Sequence, residues 1–262
     1  MDTLTETMTC TIKTLAPEEW VPAAEAAAEI NPANALSLGS LREIAPDVVI
    51  EPAHLAVLTA KYWGPSGVRL TVGFLDNPEP ELRKRILSHM NAWNRWANVS
   101  FVESATDPHV RIARAGGENG GFWSYLGTDV LRIPKGRPTM NLQGFTMKTP
   151  ERQFTRIVRH ETGHTLGFPH EHLRREIIAR IDRQAAIDWF RREIGWSPEL
   201  TIHNVLTPLD RSALNATAEP DQHSIMCYEL PAAIMKDGVA VEGGADVSSA
   251  DARFVSTLYP KR

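Results

Sequence analysis

The segment HETGHTLGFPH at residues 160–170 places the strongest constraint on how this chain folds. His160 and His164 are four residues apart, so on a helix both imidazoles leave the same face about one turn apart. Gly167 favours a helix end, because glycine adopts the left-handed backbone conformation at little cost. The chain can then turn and bring His170 toward the same point from a new direction. The spacing therefore predicts a helix that ends at Gly167 and three histidines that converge.

A glutamate follows the first of these histidines, and the set has the composition of a catalytic zinc site. Neutral imidazole nitrogens bind Zn²⁺ at about 2.0–2.1 Å, and three protein ligands leave a fourth position open, whereas structural zinc is closed by four. Glu161 can reach a water molecule in the open position without itself binding the metal. The sequence therefore predicts one catalytic Zn²⁺ held by His160, His164 and His170, with Glu161 as general base. Two surface histidines on an ordinary helix are the alternative interpretation, and the complete pattern argues against it.

Capping signals place two helices in the second half of the chain. Residues 149–151 read Thr-Pro-Glu, which gives a hydroxyl cap, a proline at the first helical position and an acid near the positive helix end. The histidine helix is therefore predicted to begin here and to run to Leu166. A last helix is predicted at Ser249–Leu258, because Ser248 and Asp251 are spaced as in a capping box.

Hydrophobic periodicity divides the rest of the chain into two parts. Residues 1–60 differ in character from the remainder, and we interpret them as an N-terminal extension, or pro-like segment, that packs on a main domain at 61–262. Alternating and helical patterns predict strands at Val68–Leu75, Val99–Val102, His109–Ala113 and Thr139–Leu142, and helices at Pro17–Ile30, Pro52–Lys61 and Pro78–Ala97.

Composition and charge limit the classes of function. Of the 262 residues, 42% are apolar and 23% charged, an ordinary globular balance, and the formal net charge is −4. Because no run of basic residues occurs, we expect neither a nucleic acid nor a membrane surface as partner. Cys10 and Cys227 are the two cysteines, so at most one disulfide can form. The polar N-terminus lacks a signal-peptide pattern, which predicts a soluble cytoplasmic protein as written, with export by a signal-less route as the alternative.

A second segment, SIMCY at residues 224–228, complements the histidine motif. Taken alone, Met226 would be core packing and Tyr228 a partly buried aromatic residue. An extended histidine motif followed by a methionine turn is, however, the signature of the metzincins. In that context Met226 is predicted to pack beneath the three histidines. The Tyr228 hydroxyl is predicted to stabilise the oxyanion that develops when a peptide carbonyl is attacked.

Four segments together resemble the astacin family of metzincins. HETGHTLGFPHEHLR (160–174) is similar to the astacin zinc segment, and SIMCY is similar to its methionine turn. FWSYLG (122–127) resembles the astacin strand-and-turn segment, and VSSADARFVSTLYP (247–260) resembles the helix that follows the methionine turn. The resemblance covers about residues 61–262 and implies a zinc-dependent endopeptidase that hydrolyses proteins or peptides.

The resemblance also implies a fold, an α+β domain of the metzincin catalytic type. An upper subdomain at about 61–167 would contain a twisted mixed sheet and long helices, and an irregular lower subdomain at about 168–262 would end in the C-terminal helix. An extended peptide is expected to lie in the cleft between them and to pair with the edge strand of the sheet. Trp123 and Tyr125 lie where that strand is expected, so they either line the cleft as substrate-binding residues or pack within the sheet.

Two positions of the sequence depart from the astacin pattern, and a third matches it at a residue linked to activation. Phe122 stands where secreted animal astacins have a disulfide cysteine, which fits folding in a reducing compartment. Glu171 matches the glutamate that, in the family, anchors the new N-terminus formed on activation, although no maturation site is recognisable here. Cys227 is not typical of the methionine turn, and we expect a small buried apolar side chain.

Cys10 lies outside the resemblance, within the N-terminal extension. Because zinc binds thiolate well, one hypothesis is that Cys10 occupies the fourth zinc position and keeps the enzyme latent, and an incidental thiol is the alternative. For the whole protein, a catalytically silent zinc-binding module that binds extended peptides is the alternative to a peptidase. The retained Glu161 and Tyr228 favour the peptidase, because binding alone needs neither. The sequence does not separate a dedicated processing enzyme from a degradative one, and it leaves the oligomeric state open.

Overall fold

A five-stranded mixed sheet is formed by segments between residues 68 and 142. The computed structural model describes residues 10–11, 13–35, 60–117, 120–208 and 220–261. The strands are β1 (Val68–Phe74), β2 (Val99–Glu103), β3 (Val110–Ala113), β4 (Phe122–Ser124) and β5 (Met140–Leu142). Their order is β2-β1-β3-β5-β4, with β4 antiparallel to β5 and the other neighbours parallel. In this sheet β4 is therefore an edge strand.

Five longer helices surround or follow the sheet in the described residues. They are α1 (Trp20–Ile30), α2 (Pro80–Met90), α3 (Glu151–Gln153, a π-helical turn at Phe154–Val158, and Arg159–Thr165), α4 (Arg183–Glu193) and α5 (Ser249–Leu258). Shorter helical turns lie at Pro17–Glu19, Pro32–Asn34, Asn91–Arg95, Gly127–Arg132, Glu171–Leu173, Arg175–Ile178, Pro198–Thr201, Ile202–Leu206 and Ala232–Ile234. None of the helices described is long and apolar enough to cross a membrane.

The predicted strands are all present, each with one end displaced by a single residue. In place of the helix predicted at Pro78–Ala97, α2 spans Pro80–Met90 and a 3-10 turn follows at Asn91–Arg95. The Asn91 side chain explains this end: its amide donates to the carbonyls of Leu87 and Phe101 and accepts from the Phe101 N–H. The helix predicted at Pro52–Lys61 lies outside the described residues except for its last two positions.

The segment 225–228 joins two clusters of buried apolar side chains. One cluster contains side chains of β1, β2, β3, α2 and α3, and it includes Ile225 and Met226. The other contains side chains of α4 and of the turns around it, and it includes Cys227 and Tyr228. The position of this segment is therefore fixed by packing on both of its neighbours.

The helix α3 differs in two ways from the prediction. The hydroxyl cap predicted at Thr149 is wrong, because the N-cap is Pro150, whose side chain has no hydrogen-bonding group. The Thr149 hydroxyl instead accepts a hydrogen bond from the Thr146 N–H at 3.0 Å. The helix is also not uniformly α, because a π-helical turn occupies Phe154–Val158. Such turns shift the following residues around the helix axis and are frequent at functional sites.

The segment after Gly167 is more helical than predicted. The helix α4 was not predicted: its Asp182 cap accepts a hydrogen bond from the Ala185 N–H at 2.9 Å, and its Ala186, Ile187 and Phe190 are buried. In contrast, α5 has the predicted bounds, and its capping box between Ser248 and Asp251 is present.

Candidate metal centre

Three histidine side chains meet in a buried position between α3 and the segment that follows it. His160 Nε2 lies 3.1 Å from His170 Nε2, and His164 Nε2 lies 3.0 Å from the same atom. All three residues are buried, with at most 1% of their surface exposed. The predicted ligands are therefore brought together, although two of them come from the helix and the third from the chain beyond it.

The other ring nitrogens determine which way the lone pairs point. His160 Nδ1 lies 2.6 Å from the Ile225 carbonyl and His164 Nδ1 lies 2.7 Å from the Phe168 carbonyl. A carbonyl oxygen only accepts, so both Nδ1 atoms carry the hydrogen and both Nε2 atoms present a lone pair in the neutral ring. Burial lowers the pKa of His164 to about 4 and holds the pKa values of His160 and His170 well below their usual range. Neutral rings whose lone pairs converge form a site for a cation, and they fit Zn²⁺.

The predicted turn at Gly167 creates one of the carbonyls that orient these rings. The helix α3 ends at Thr165, and Gly167 has a φ of 99°. Its N–H donates to the His164 carbonyl at 2.8 Å, and the Phe168 N–H donates to the Gly163 carbonyl at 2.9 Å. The turn thus places the Phe168 carbonyl against His164 Nδ1, so the residue that ends the helix also helps to fix a ligand.

Glu161 lies beside the histidines and is fully buried. Its Oε2 accepts a hydrogen bond from the Cys10 thiol at 3.4 Å, and its Oε1 has no hydrogen-bond partner among the described residues. Burial raises the pKa of Glu161 to about 8, and the Cys10 hydrogen bond and the Arg156 charge act in the opposite direction. A carboxyl group that titrates near neutral pH is suited to accept and return a proton.

Cys10 is part of the same cluster. Its sulfur and one ring nitrogen of each of the three histidines all lie within 4.8 Å of one another. Burial raises the pKa of the Cys10 thiol well above its usual value, and the neighbouring Glu161 acts in the same direction. The backbone at Cys10 forms a parallel bridge with Phe122, and the Thr11 N–H donates to the Phe122 carbonyl at 3.1 Å. The N-terminal segment therefore lies along the edge strand β4 and delivers the thiol to the histidines.

The segment 224–228 lies under and beside the cluster. The Met226 sulfur packs against Gly163, on the part of α3 between the two helical histidines. The Met226 carbonyl accepts a hydrogen bond from the Glu171 N–H at 2.9 Å, which ties the segment to the residue after His170. The Tyr228 ring centroid lies 4.5 Å from that of His170. Both residues predicted from this segment are thus placed next to the histidines.

The two aromatic residues of the edge-strand region have different surroundings. Trp123 is 3% exposed, whereas Tyr125 is half-buried, and their ring centroids are 6.1 Å apart. Lys13 Nζ lies 5.1 Å from the centroid of the Trp123 ring, and the Lys13 backbone bridges Tyr125. Trp123 is therefore buried with Lys13 over its ring, whereas Tyr125 is more open, and a substrate-binding role for either residue stays a prediction.

Glu171 borders a small cavity of about 40 Å³ next to the methionine segment, which is lined by apolar side chains such as Tyr62 and Phe254 together with Asp221 and Asp251. Its Oε1 accepts hydrogen bonds from the Asp221 N–H and from Arg174. Burial raises the pKa of Glu171 to about 7. The carboxyl groups of Glu171, Asp221 and Asp251 around this cavity would suit a cationic group such as an amino terminus. The anchoring role that the family resemblance implies for Glu171 stays a prediction.

Two residues near the cluster were not predicted as site residues. Arg156 donates to the carbonyls of Ile225 and Cys227, with a distance of 2.7 Å to the latter. His172 stacks on Tyr228 with 3.9 Å between ring centroids, and its Nε2 lies 2.9 Å from the Asn204 carbonyl. Arg156 lies four residues before His160 on the same helix, but this spacing does not indicate its two backbone partners.

Comparison with known proteins gives a consistent set of likenesses. The family model described as Astacin, a family of peptidases, matches residues 58–240. Zinc metalloproteinase nas-27 of Caenorhabditis elegans is 34% identical over 93 residues, which are 35% of this chain and 19% of that protein. The chain thus spans about a fifth of the length of that curated relative.

Solved structures resemble this fold over most of their length. Two structures of myroilysin are each 29% identical and cover 77% of this chain; one has a TM-score of 0.71 with 97% of its own chain covered, the other 0.58 with 86%. High choriolytic enzyme 1, a hatching enzyme zinc-protease from the medaka Oryzias latipes, has a TM-score of 0.53 at 20% identity and covers 79% of this chain and 96% of its own. The last likeness concerns the fold alone. Together they confirm the predicted α+β fold.

Proposed function

The chain belongs to the astacin family of peptidases, as its sequence motifs predict, and from this premise we propose that it is a zinc-dependent endopeptidase. Its substrates are proteins or peptides, and its cofactor is one catalytic Zn²⁺. The ligands are His160, His164 and His170. The observation that carries the proposal is the convergence of the three imidazoles: His170 Nε2 lies 3.1 Å from His160 Nε2 and 3.0 Å from His164 Nε2, and the carboxyl group of the residue after His160 is buried.

The proposed reaction assigns separate tasks to two side chains. When bound, Zn²⁺ polarises the peptide carbonyl and activates a water molecule for attack. Glu161 takes a proton from the attacking water and passes it to the leaving amine, a task that its buried position next to the first histidine ligand supports. The Tyr228 hydroxyl donates a hydrogen bond to the carbonyl oxygen as negative charge develops on it.

The substrate is proposed to bind along the edge strand β4. An exposed sheet edge offers backbone hydrogen bonds to any extended peptide, so this mode of binding depends little on sequence. The Phe122 carbonyl already accepts such a bond from the Thr11 N–H, which supports the use of this edge by extended chain. Tyr125 is the aromatic residue proposed to contact the substrate, whereas Trp123 is buried and packs against Tyr125 and Lys13.

The intact chain is proposed to be latent. Cys10 would supply the fourth zinc ligand, because its sulfur lies within 4.8 Å of all three ligand nitrogens and thiolate binds zinc strongly. The same segment uses the β4 edge that a substrate needs. Residues 1–60 thus form a pro-like segment and residues 61–262 the catalytic domain, a division that stays a prediction.

Glu161→Gln tests the proposed function. Glutamine keeps the size of the side chain but cannot accept the proton, so we expect unchanged zinc content and loss of hydrolysis by a factor of about 10² or more. Zinc is measured by metal analysis, and cleavage by mass spectrometry of a diverse peptide library, both in the intact chain and with Cys10→Ala added to relieve latency.

The matched control is Glu81→Gln, which changes an exposed glutamate on α2 in the same way. It should leave zinc content and cleavage unchanged. Cleavage by Glu161→Gln at the rate of the control would contradict the assignment of the general base. A Cys10→Ala chain that holds zinc and binds peptides but cleaves none of them would favour the silent zinc-binding module.

A further inference from the structure

Arg156 is a charged side chain next to the candidate metal centre that the proposed reaction does not use. It lies in the π-helical turn of α3, one turn before His160, and it is partly buried. Its ionisable neighbours include Cys227, Cys10, Tyr228 and Glu161, all of which are buried. Among the described residues it forms no ion pair, so its position is not explained by a carboxylate partner.

The partners of Arg156 are two backbone carbonyls in the methionine segment. Nη1 donates to the Ile225 carbonyl, and Nη2 donates to the Cys227 carbonyl at 2.7 Å. These two residues flank Met226 and are themselves fully buried. A planar guanidinium presents its donors in a fixed fork, so it sets the distance and the orientation of both carbonyls at once.

One of these carbonyls also orients a predicted zinc ligand. The Ile225 oxygen accepts from His160 Nδ1 at 2.6 Å as well as from Arg156. A carbonyl oxygen has two lone pairs, so it can accept both hydrogen bonds. Partners on the far side of a ligating histidine fix its tautomer and its ring orientation, and their loss typically weakens metal binding about 10- to 100-fold.

We propose that Arg156 is a positioning residue of the zinc site: it holds the Ile225 carbonyl against His160 and keeps Met226 in place beneath the three histidines. It does not touch the metal or the substrate, and it acts through the backbone of the methionine segment. The inference rests on the proposed zinc-dependent function.

The test replaces Arg156 in the full-length chain by methionine and by lysine. Arg156→Met keeps an apolar stem and removes both donors, so we expect Zn²⁺ affinity to fall about 10- to 100-fold and the visible spectrum of the Co²⁺-substituted protein to change. Arg156→Lys keeps the charge but cannot bridge two carbonyls in a fork, so its Zn²⁺ affinity should lie between those of Arg156→Met and the wild type. Zn²⁺ affinity is measured by competition with a chromophoric chelator.

Arg152→Met is the matched control, because Arg152 is exposed on the first turn of α3. It should match the wild type in Zn²⁺ affinity and Co²⁺ spectrum. A wild-type chain that binds no Zn²⁺ would contradict the proposed function itself. Wild-type binding together with unchanged affinity and spectrum in Arg156→Met would contradict only the role of Arg156.

If Arg156→Met lowers the melting temperature but leaves the Zn²⁺ affinity and the Co²⁺ spectrum unchanged, the inference is also overturned, because a merely structural residue changes stability without changing the metal environment. If Arg156→Met does not fold, as judged by circular dichroism, Arg156→Lys decides the question. An Arg156→Lys variant with the Zn²⁺ affinity and the Co²⁺ spectrum of the wild type would overturn the proposal.

Discussion

Cys10 and Cys227 are both buried free thiols, and they differ in what their sulfur atoms face. The Cys10 sulfur faces the three histidines and Glu161, whereas the Cys227 sulfur lies 3.6 Å from the Tyr228 carbonyl in an apolar cluster. We expect Cys10→Ala to raise the peptidase activity of the intact chain and to abolish the thiolate absorption of its Co²⁺ form. Cys227→Ala should change neither the activity nor the thiolate absorption. It should lower the free energy of unfolding by at most about 1 kcal/mol, the cost of a small cavity. Equal activity in the intact wild type and in Cys10→Ala would contradict latency through this thiol.

At the scale of the residue, the sequence predicts what local geometry determines. The two helical histidines and the glycine that ends their helix follow fixed spacing rules, and the structure brings the predicted residues together. Arg156 escaped prediction because its two carbonyl partners lie 69 and 71 residues further along the chain. Cys10 could be suggested only because thiolate binds zinc, since it lies 151 residues from Glu161 and no spacing rule connects them.

The contact between α3 and the methionine segment gives a prediction at the scale of the element. Alanine is normally better than glycine inside a helix by about 1 kcal/mol. At Gly163, however, the added methyl group would overlap the Met226 sulfur, and it would lie 3.2 Å from the Met226 methyl carbon. Overpacking in a core costs about 1–3 kcal/mol, so we expect Gly163→Ala to reduce the free energy of unfolding despite the gain in helix propensity. Urea denaturation measures this change.

A double-mutant cycle separates the two effects. Met226→Ala removes the sulfur, so adding Gly163→Ala in that background should become neutral or stabilising by up to about 1 kcal/mol. If Gly163→Ala is stabilising in the wild-type background as well, the contact between the helix and the methionine segment is loose. The same contact gives a physical reason for a methionine at position 226, because its side chain fits against α3 at Gly163, which has no side chain of its own.

Elements with strong local signals were predicted well, and those that depend on packing were not. Alternation identified the strands, and the capping box of α5 gave both of its ends. The helix α4 has a good cap at Asp182 and was nevertheless not predicted, because the chain after Gly167 was expected to be mostly irregular. The π-helical turn in α3 was not predicted, and it contains Arg156, whose partners lie far along the chain at 225 and 227.

At the scale of the whole molecule, the described part of the N-terminal segment contacts the rest at several places, among them the Glu19–Arg132 ion pair, and two of these contacts bear on latency. One is the contact of Cys10 with Glu161 and with the edge strand β4. The other is Asn34, whose amide nitrogen donates to the carbonyls of Ala27 and Tyr62 and whose oxygen accepts from the Tyr62 N–H. Asn34 is 1% exposed and pairs with the Tyr62 backbone much as a neighbouring strand would. If the chain is latent, this second attachment should help to keep the thiol at the histidines, because it shortens the free chain that carries Cys10.

Asn34→Asp tests this coupling between the two attachments. The substitution keeps the shape of the side chain but turns an oxygen toward the Ala27 and Tyr62 carbonyls, so an acceptor would face two acceptors in a buried position. We expect the activity of the intact chain to rise toward that of Cys10→Ala, and we expect Asn34→Asp to add little once Cys10 is already replaced. Ala33→Asp is the matched control, because it adds the same charge at the exposed neighbouring position and should leave activity unchanged. Activity is followed with a fluorogenic peptide, and circular dichroism establishes that each variant is folded. A folded Asn34→Asp chain with wild-type activity, beside an activated Cys10→Ala chain, would mean that the thiol holds the segment in place without help from this second attachment.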